Sequence, residues 1–146
     1  GAAAGVAAVL ECVQAAGCDL STLSPEERAV PLPLEEAVEV GRQQHLGFFE
    51  RLLQGEPQWL AFISRAHLRV RASRPPSSAG APASGVRLQV ENLSSNPVLV
   101  SGQPLGRGHA SMLPEGGSLA FVALGRDGAE TQFLELVLRR ARGCRG

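Results

Sequence analysis

Val86-Arg87-Leu88-Gln89-Val90-Glu91-Asn92-Leu93-Ser94-Ser95-Asn96-Pro97-Val98-Leu99-Val100 is the stretch that decides the fold. Its first six residues alternate, with Val86, Leu88 and Val90 on one face and Arg87, Gln89 and Glu91 on the other. A period of two is that of a half-buried strand. Asn92 to Asn96 interrupts the run with polar, turn-forming side chains, and Pro97 has no N–H to give to a ladder. Val98-Leu99-Val100 then resumes as a second strand.

The same texture extends outward in both directions. Upstream, His67-Leu68-Arg69-Val70-Arg71 sets Leu68 and Val70 against Arg69 and Arg71, and Ala37 to Val40 is a further short run. Trp59 to Ile63 is largely apolar and reads as strand-like. Downstream, Ser118 to Leu124 and Phe133 to Leu138 complete the series. Many short strands between turn residues predict an all-β fold, a two-sheet antiparallel β-sandwich from about Val30 to Arg140.

Helix is expected in few places. Gly1 to Leu20 is rich in alanine, the best helix former, and reads as a helix. Ser24-Pro25-Glu26-Glu27 has the pattern of a capped helix start, stopped within a turn or two by Pro31 and Pro33. Leu46, Phe48, Phe49, Leu52 and Leu53 suggest a short helix near Gly47–Leu53 inside a long connection. Ser73 to Gly85, made of Pro, Ser, Ala and Gly, is expected to be a flexible loop. The resulting organisation is a short helical N-terminal extension or linker at 1–29, one domain at 30–140 and a C-terminal tail at 141–146.

Composition excludes several classes. The chain has 146 residues, enough to bury a core without disulfides or metals. Lys+Arg and Asp+Glu both number 14, so there is no basic excess for a duplex nucleic acid. Cys12, Cys18 and Cys144 make a poor disulfide framework, which suggests a reducing compartment; an intracellular place, nuclear or cytoplasmic, is expected. No spacing of Cys and His suggests a metal, and no cofactor is expected. Gly1 to Leu10 is too short to span a membrane and has no basic flank, so neither an anchor nor a signal peptide is expected. A start at Gly1 rather than Met is expected of a fragment or a processed product.

Three short motifs lie at strand ends, where a sandwich carries its binding groups. They are Gly41-Arg42, Ser64-Arg65-Ala66-His67 and Asn92-Leu93-Ser94-Ser95-Asn96. Arg42 and Arg65 offer forked, charge-assisted donors suited to a phosphate dianion. Ser64 adds a hydroxyl, and Asn96 has both a donor and an acceptor, which suits a peptide main chain. Catalysis is not expected. Ser64 and His67 lack a carboxylate placed to orient the histidine, and neither a Gly-x-Ser-x-Gly elbow nor a P-loop occurs.

In this order and β context, Gly-Arg, Ser-Arg-x-His and Ser-Ser-Asn resemble the signature of the forkhead-associated (FHA) family. Leu113-Pro114-Glu115-Gly116-Gly117-Ser118-Leu119-Ala120-Phe121 resembles that family's later Leu-x-x-Gly-Asp-x-Ile-x-Phe segment. The resemblance implies a signalling module that recognises phosphothreonine peptides, with no direct nucleic-acid or membrane partner. It implies that Arg42 contacts the phosphate or the adjacent peptide backbone, that Ser64 and Arg65 hold the phosphate, that Ser95 lines the phosphothreonine pocket and that Asn96 clamps the peptide backbone. Gly41 would permit the turn that aims Arg42, and His67 would be a buried structural support. The family usually reads Ser-x-Asn-Gly-Thr, whereas Pro97-Val98 follows Asn96 here. Two other functions remain open: a phosphate-independent interaction module on the same scaffold, and a regulatory fragment of a larger signalling enzyme.

Overall fold

The structure is a computed structural model and describes residues 6–76 and 85–141. Ten strands form two sheets: β1 (Val6–Ala15), β2 (Ala29–Pro33), β3 (Ala37–Val40), β4 (Leu68–Ser73), β5 (Arg87–Asn92), β6 (Val98–Val100), β7 (Gln103–Leu105), β8 (Ala110–Pro114), β9 (Ser118–Leu124) and β10 (Glu130–Arg140). One sheet has the order β2-β1-β10-β9-β6-β7 and the other β3-β4-β5-β8. The strand pairs within both are antiparallel. This is the two-sheet sandwich expected from the alternating runs.

The alternation is realised in the packing. Leu68, Val70 and Ala72 of β4 and Leu88 and Val90 of β5 point inward, and all are at most 1 % exposed. They meet Leu10, Leu32, Phe121, Leu136 and Leu138 in one continuous core. Full burial of each large side chain contributes about 1.5–3 kcal/mol, so the core carries most of the favourable energy.

The helical N-terminal extension is corrected. Val6–Ala15 is a strand, hydrogen-bonded between β2 and β10, and it enters the sandwich well ahead of Val30. Ala8, Leu10 and Cys12 face inward. The helix preference of alanine is worth only tenths of a kcal/mol per residue over its competitors, and a ladder on both sides plus burial outweighs it. Residues 20–22 form a single 3-10 turn capped by Asp19. The reciprocal bonds expected of the Ser24 motif are present, Ser24 N–H to Glu27 Oε1 at 2.9 Å and Glu27 N–H to Ser24 Oγ at 3.2 Å, but on a turn.

Two connections differ from expectation. The helix in the β3–β4 connection, α1 (Arg42–Leu52), starts five residues earlier than Gly47, with a kink at His45. Trp59 to Ile63 is not a strand: Pro57–Phe62 is a 3-10 helix that begins at proline. Trp59 stacks on Phe133 there, with ring centroids 5.3 Å apart. The expected flexible loop from Ser73 to Gly85 falls largely on residues 77–84, outside the described residues, as does the tail from 142 onward with Cys144. Among the described residues no helix is long and apolar enough to cross a membrane.

Candidate functional site

The register of the four-stranded sheet fixes which loops meet. Val40 of β3 pairs with Leu68 of β4, and Leu68 pairs with Asn92 of β5. The segments after β3, before β4 and after β5 therefore leave the sheet at the same end. They carry Gly41-Arg42, Ser64 to His67 and Leu93 to Asn96, so all the site residues expected from sequence come to one end.

Backbone contacts bind these segments together. The N–H groups of Arg42 and Gln43 donate to the carbonyls of Ser64 and Arg65, each at 3.0 Å, and His67 N–H donates to the Val40 carbonyl at 2.9 Å. Gly41 is what allows the approach. A Cβ at this position would lie 2.3 Å from the Arg65 carbonyl oxygen and 2.7 Å from that of Ser64. Its backbone is extended, with φ 168°, so space rather than an unusual turn demands glycine.

His67 is 1 % exposed. Its Nδ1 accepts the Ser64 backbone N–H at 3.0 Å, and its ring meets Phe121 edge to face. Desolvation by burial pushes the imidazole down to about 4, so it is neutral at physiological pH. Among the described residues Nε2 has no hydrogen-bond partner and no carboxylate orients this ring. The histidine bonds the main chain of Ser64 and not its hydroxyl, which leaves no serine–histidine couple for nucleophilic catalysis.

The Ser64 hydroxyl lies 2.7 Å from that of Ser94. Ser94 Oγ also accepts the Asn96 N–H at 3.1 Å. The Asn96 side chain reaches across to the other loop, with Nδ2 donating to the Phe62 carbonyl at 3.0 Å. Arg42 is half-buried, and its Nε donates to the Ile63 carbonyl. Arg65 and Ser95 are exposed, and neither side chain has a partner among the described residues. Arg42 and Asn96 thus brace the loops, while Arg65 and Ser95 present free donors.

Two residues of the third motif, Asn92 and Ser94, organise this end, a role the sequence reading did not give them. Asn92 is fully buried; its Nδ2 donates to the carbonyls of Asn96 and Leu105, and its Oδ1 accepts the Ser94 N–H at 2.9 Å. Ser94 is 2 % exposed. The signal was parity. Asn92 stands on the inward face with Leu88 and Val90, and a buried amide there needs partners for all its polar atoms.

A separate hollow lined by Pro75, Val86, Arg87, Met112 and Arg140 lies at the opposite end, where β4 ends and β5 begins.

No protein-family model matches the chain, and no curated protein sequence matches it. Solved structures do. The MEK1 FHA domain is 18 % identical, with a TM-score of 0.52 over 92 % of this chain and 89 % of that one. The N-terminal FHA domain of S. cerevisiae Rad53p, in complex with a phosphothreonine peptide, is 14 % identical, with a TM-score of 0.51 over 93 % and 94 %. The yeast Dun1 FHA domain, in complex with a doubly phosphorylated peptide derived from Rad53, is 15 % identical, with a TM-score of 0.54 over 97 % and 79 %. At these identities the likeness is one of backbone, and it agrees with the motif order read from the sequence: the chain has the forkhead-associated fold.

Proposed function

We propose that this chain is a protein-interaction module that binds phosphorylated peptide segments, phosphothreonine before phosphoserine, and performs no catalysis by itself. The observation that carries the reading is the meeting of Arg42, Ser64, Arg65, Ser95 and Asn96 at one end of the sandwich, with Arg65 and Ser95 exposed and without partners among the described residues. A phosphothreonine brings about −1.5 to −2 charges and three acceptor oxygens. Arg65 answers with a fork of N–H donors, and Ser95 with a hydroxyl. Ser64 supplies a further donor. The Ser64 and Ser94 hydroxyls share one hydrogen bond in which either can donate, and with Ser94 as donor the Ser64 proton is left for the ligand. Asn96 Oδ1 is free to accept a peptide N–H. The phosphothreonine peptides held by the Rad53p and Dun1 domains support the same reading.

One observation favours a second reading, an interaction module indifferent to phosphate. Arg42 and Asn96 already donate to the Ile63 and Phe62 carbonyls. An array of paired phosphorylated and unphosphorylated peptide libraries decides between them. The proposal expects binders almost entirely in the phosphothreonine set; equal binding to both sets overturns it in favour of the phosphate-independent module.

A further inference from the structure

The chain has no lysine, so every fixed side-chain cation is an arginine. Arg28, Arg51, Arg69, Arg71, Arg139 and Arg140 are in ion pairs with glutamates. Arg107 is exposed and has no hydrogen-bond or ion-pair partner among the described residues.

The position of Arg107 is fixed more firmly than its exposure suggests. It sits in the Gly106–His109 turn between β7 and β8. Leu105 pairs with Val98 at the start of β6, and Ala110 pairs with Glu91 near the end of β5, so the turn lies at the ligand end described above. Its main chain is clasped by Asn92: Gly108 N–H donates to the Asn92 carbonyl at 2.7 Å, and Asn92 N–H donates to the His109 carbonyl at 3.0 Å. Asn92 Nδ2 holds the Leu105 carbonyl at 2.9 Å. The same buried side chain holds Ser94 and Asn96. One residue therefore ties the Ser94–Asn96 loop and the Arg107 turn into one unit. An unpaired guanidinium carried on a backbone locked to the binding loop is preorganised for an anion on the ligand.

We propose that Arg107 is a specificity residue that reads a second acidic group of the bound peptide, a carboxylate or a second phosphate, within a few residues of the phosphorylated one. The inference rests on the phosphopeptide reading above and adds a preference to it. The Arg107 side chain has no hydrogen-bond or ion-pair partner among the described residues, so its removal is expected to leave the fold intact.

The test uses the full chain, in low salt, with synthetic phosphothreonine peptides. Single aspartate, phosphoserine or lysine substitutions are scanned through an alanine background, four residues to each side. Calorimetry on the native chain is expected to show, at one position, a gain of about three- to fivefold for aspartate over alanine, the range of an exposed pair, and a larger gain for phosphoserine. Arg107→Ala is expected to abolish both gains while the alanine-background phosphopeptide keeps its affinity. Arg107→Glu is expected to turn the preference towards lysine at that position. An acidic preference that survives Arg107→Ala, or no preference in the native chain, overturns the proposal and leaves the phosphopeptide reading standing. A native chain that binds no phosphopeptide overturns both, and that result differs from the others.

Discussion

Arginines on the face of the four-stranded sheet and arginines at its loop end are the same side chain in opposite circumstances. On the face, Arg69 lies between Glu39 and Glu91 at 3.5 and 3.2 Å, and Arg71 meets Glu35 at 3.4 Å. Glu39 and Glu91 are the cross-strand neighbours of Arg69, Glu35 lies just before β3, and each arginine is satisfied within the chain on a solvated surface. At the loop end, Arg65 and Arg107 have no carboxylate partner among the described residues, while the backbone beneath them is locked by buried polar side chains. The face has compensated charge on an ordinary sheet surface. The end has uncompensated charge on a rigid support, which is what a site for an external anion requires.

The support fails first if glycine is lost at position 41. Gly41→Ala places a methyl group against two backbone carbonyls that cannot move without opening the β3–β4 tether. We expect a loss on the order of 3 kcal/mol or failure to fold, read from urea unfolding. A stable variant would mean that the loops do not pack as described.

His67 makes the same support sensitive to pH. Its ring stays neutral down to about 4 in the folded protein, against 6.5 for an unburied imidazole. Above 6.5 both states hold it neutral, and its full contribution is present. As pH falls from 6.5 towards 4, only the unfolded chain takes the proton, and stability declines by on the order of 3 kcal/mol before levelling off. Urea midpoints at successive pH values check the decline. A folded-state imidazole resonance that titrates near 6.5 contradicts it.

A smaller effect separates charge from fork. Arg65→Ala is expected to weaken a phosphothreonine peptide by about ten- to a hundredfold, the loss of a charge-assisted hydrogen bond. Arg65→Lys should lose less, because it keeps the charge and gives up only the paired geometry. Calorimetry distinguishes the two, and equal losses would show that charge alone plays no part.

The smallest effect belongs to the sheet face. Arg69→Ala removes exposed pairs worth about 0.2–1 kcal/mol and should leave peptide affinity unchanged. A large loss of affinity in this variant would erase the distinction between face and end.

Much of this was legible in the sequence because alternation reports burial directly. Leu68 and Val70, and Leu88 and Val90, point inward as their period requires, and the motifs at the strand ends converge because the register aligns those ends. The first strand was not legible. Val9 and Val13 are apolar on the outward face of β1, so Ala8, Leu10 and Cys12 lose their contrast, and alanine-rich composition then favours helix. Trp59 to Ile63 misled for a related reason: an apolar run without a period says that residues pack, not how, and Pro57 settles it as 3-10 helix. Within the site, Arg42 and Asn96 were read as ligand contacts, but their bonds to Ile63 and Phe62 depend on a crossing of loops that no local pattern encodes.

The claim that the loop end is the ligand surface is tested most directly by following the amide resonances of the chain while a phosphothreonine peptide is added. The largest shifts are expected at Ser64, Arg65, Ser95, Asn96 and Arg107, with Arg69, Arg71 and their strand partners unmoved, and no shifts with the unphosphorylated peptide. Shifts centred on the β3–β4–β5 face, or the same shifts with both peptides, would contradict it.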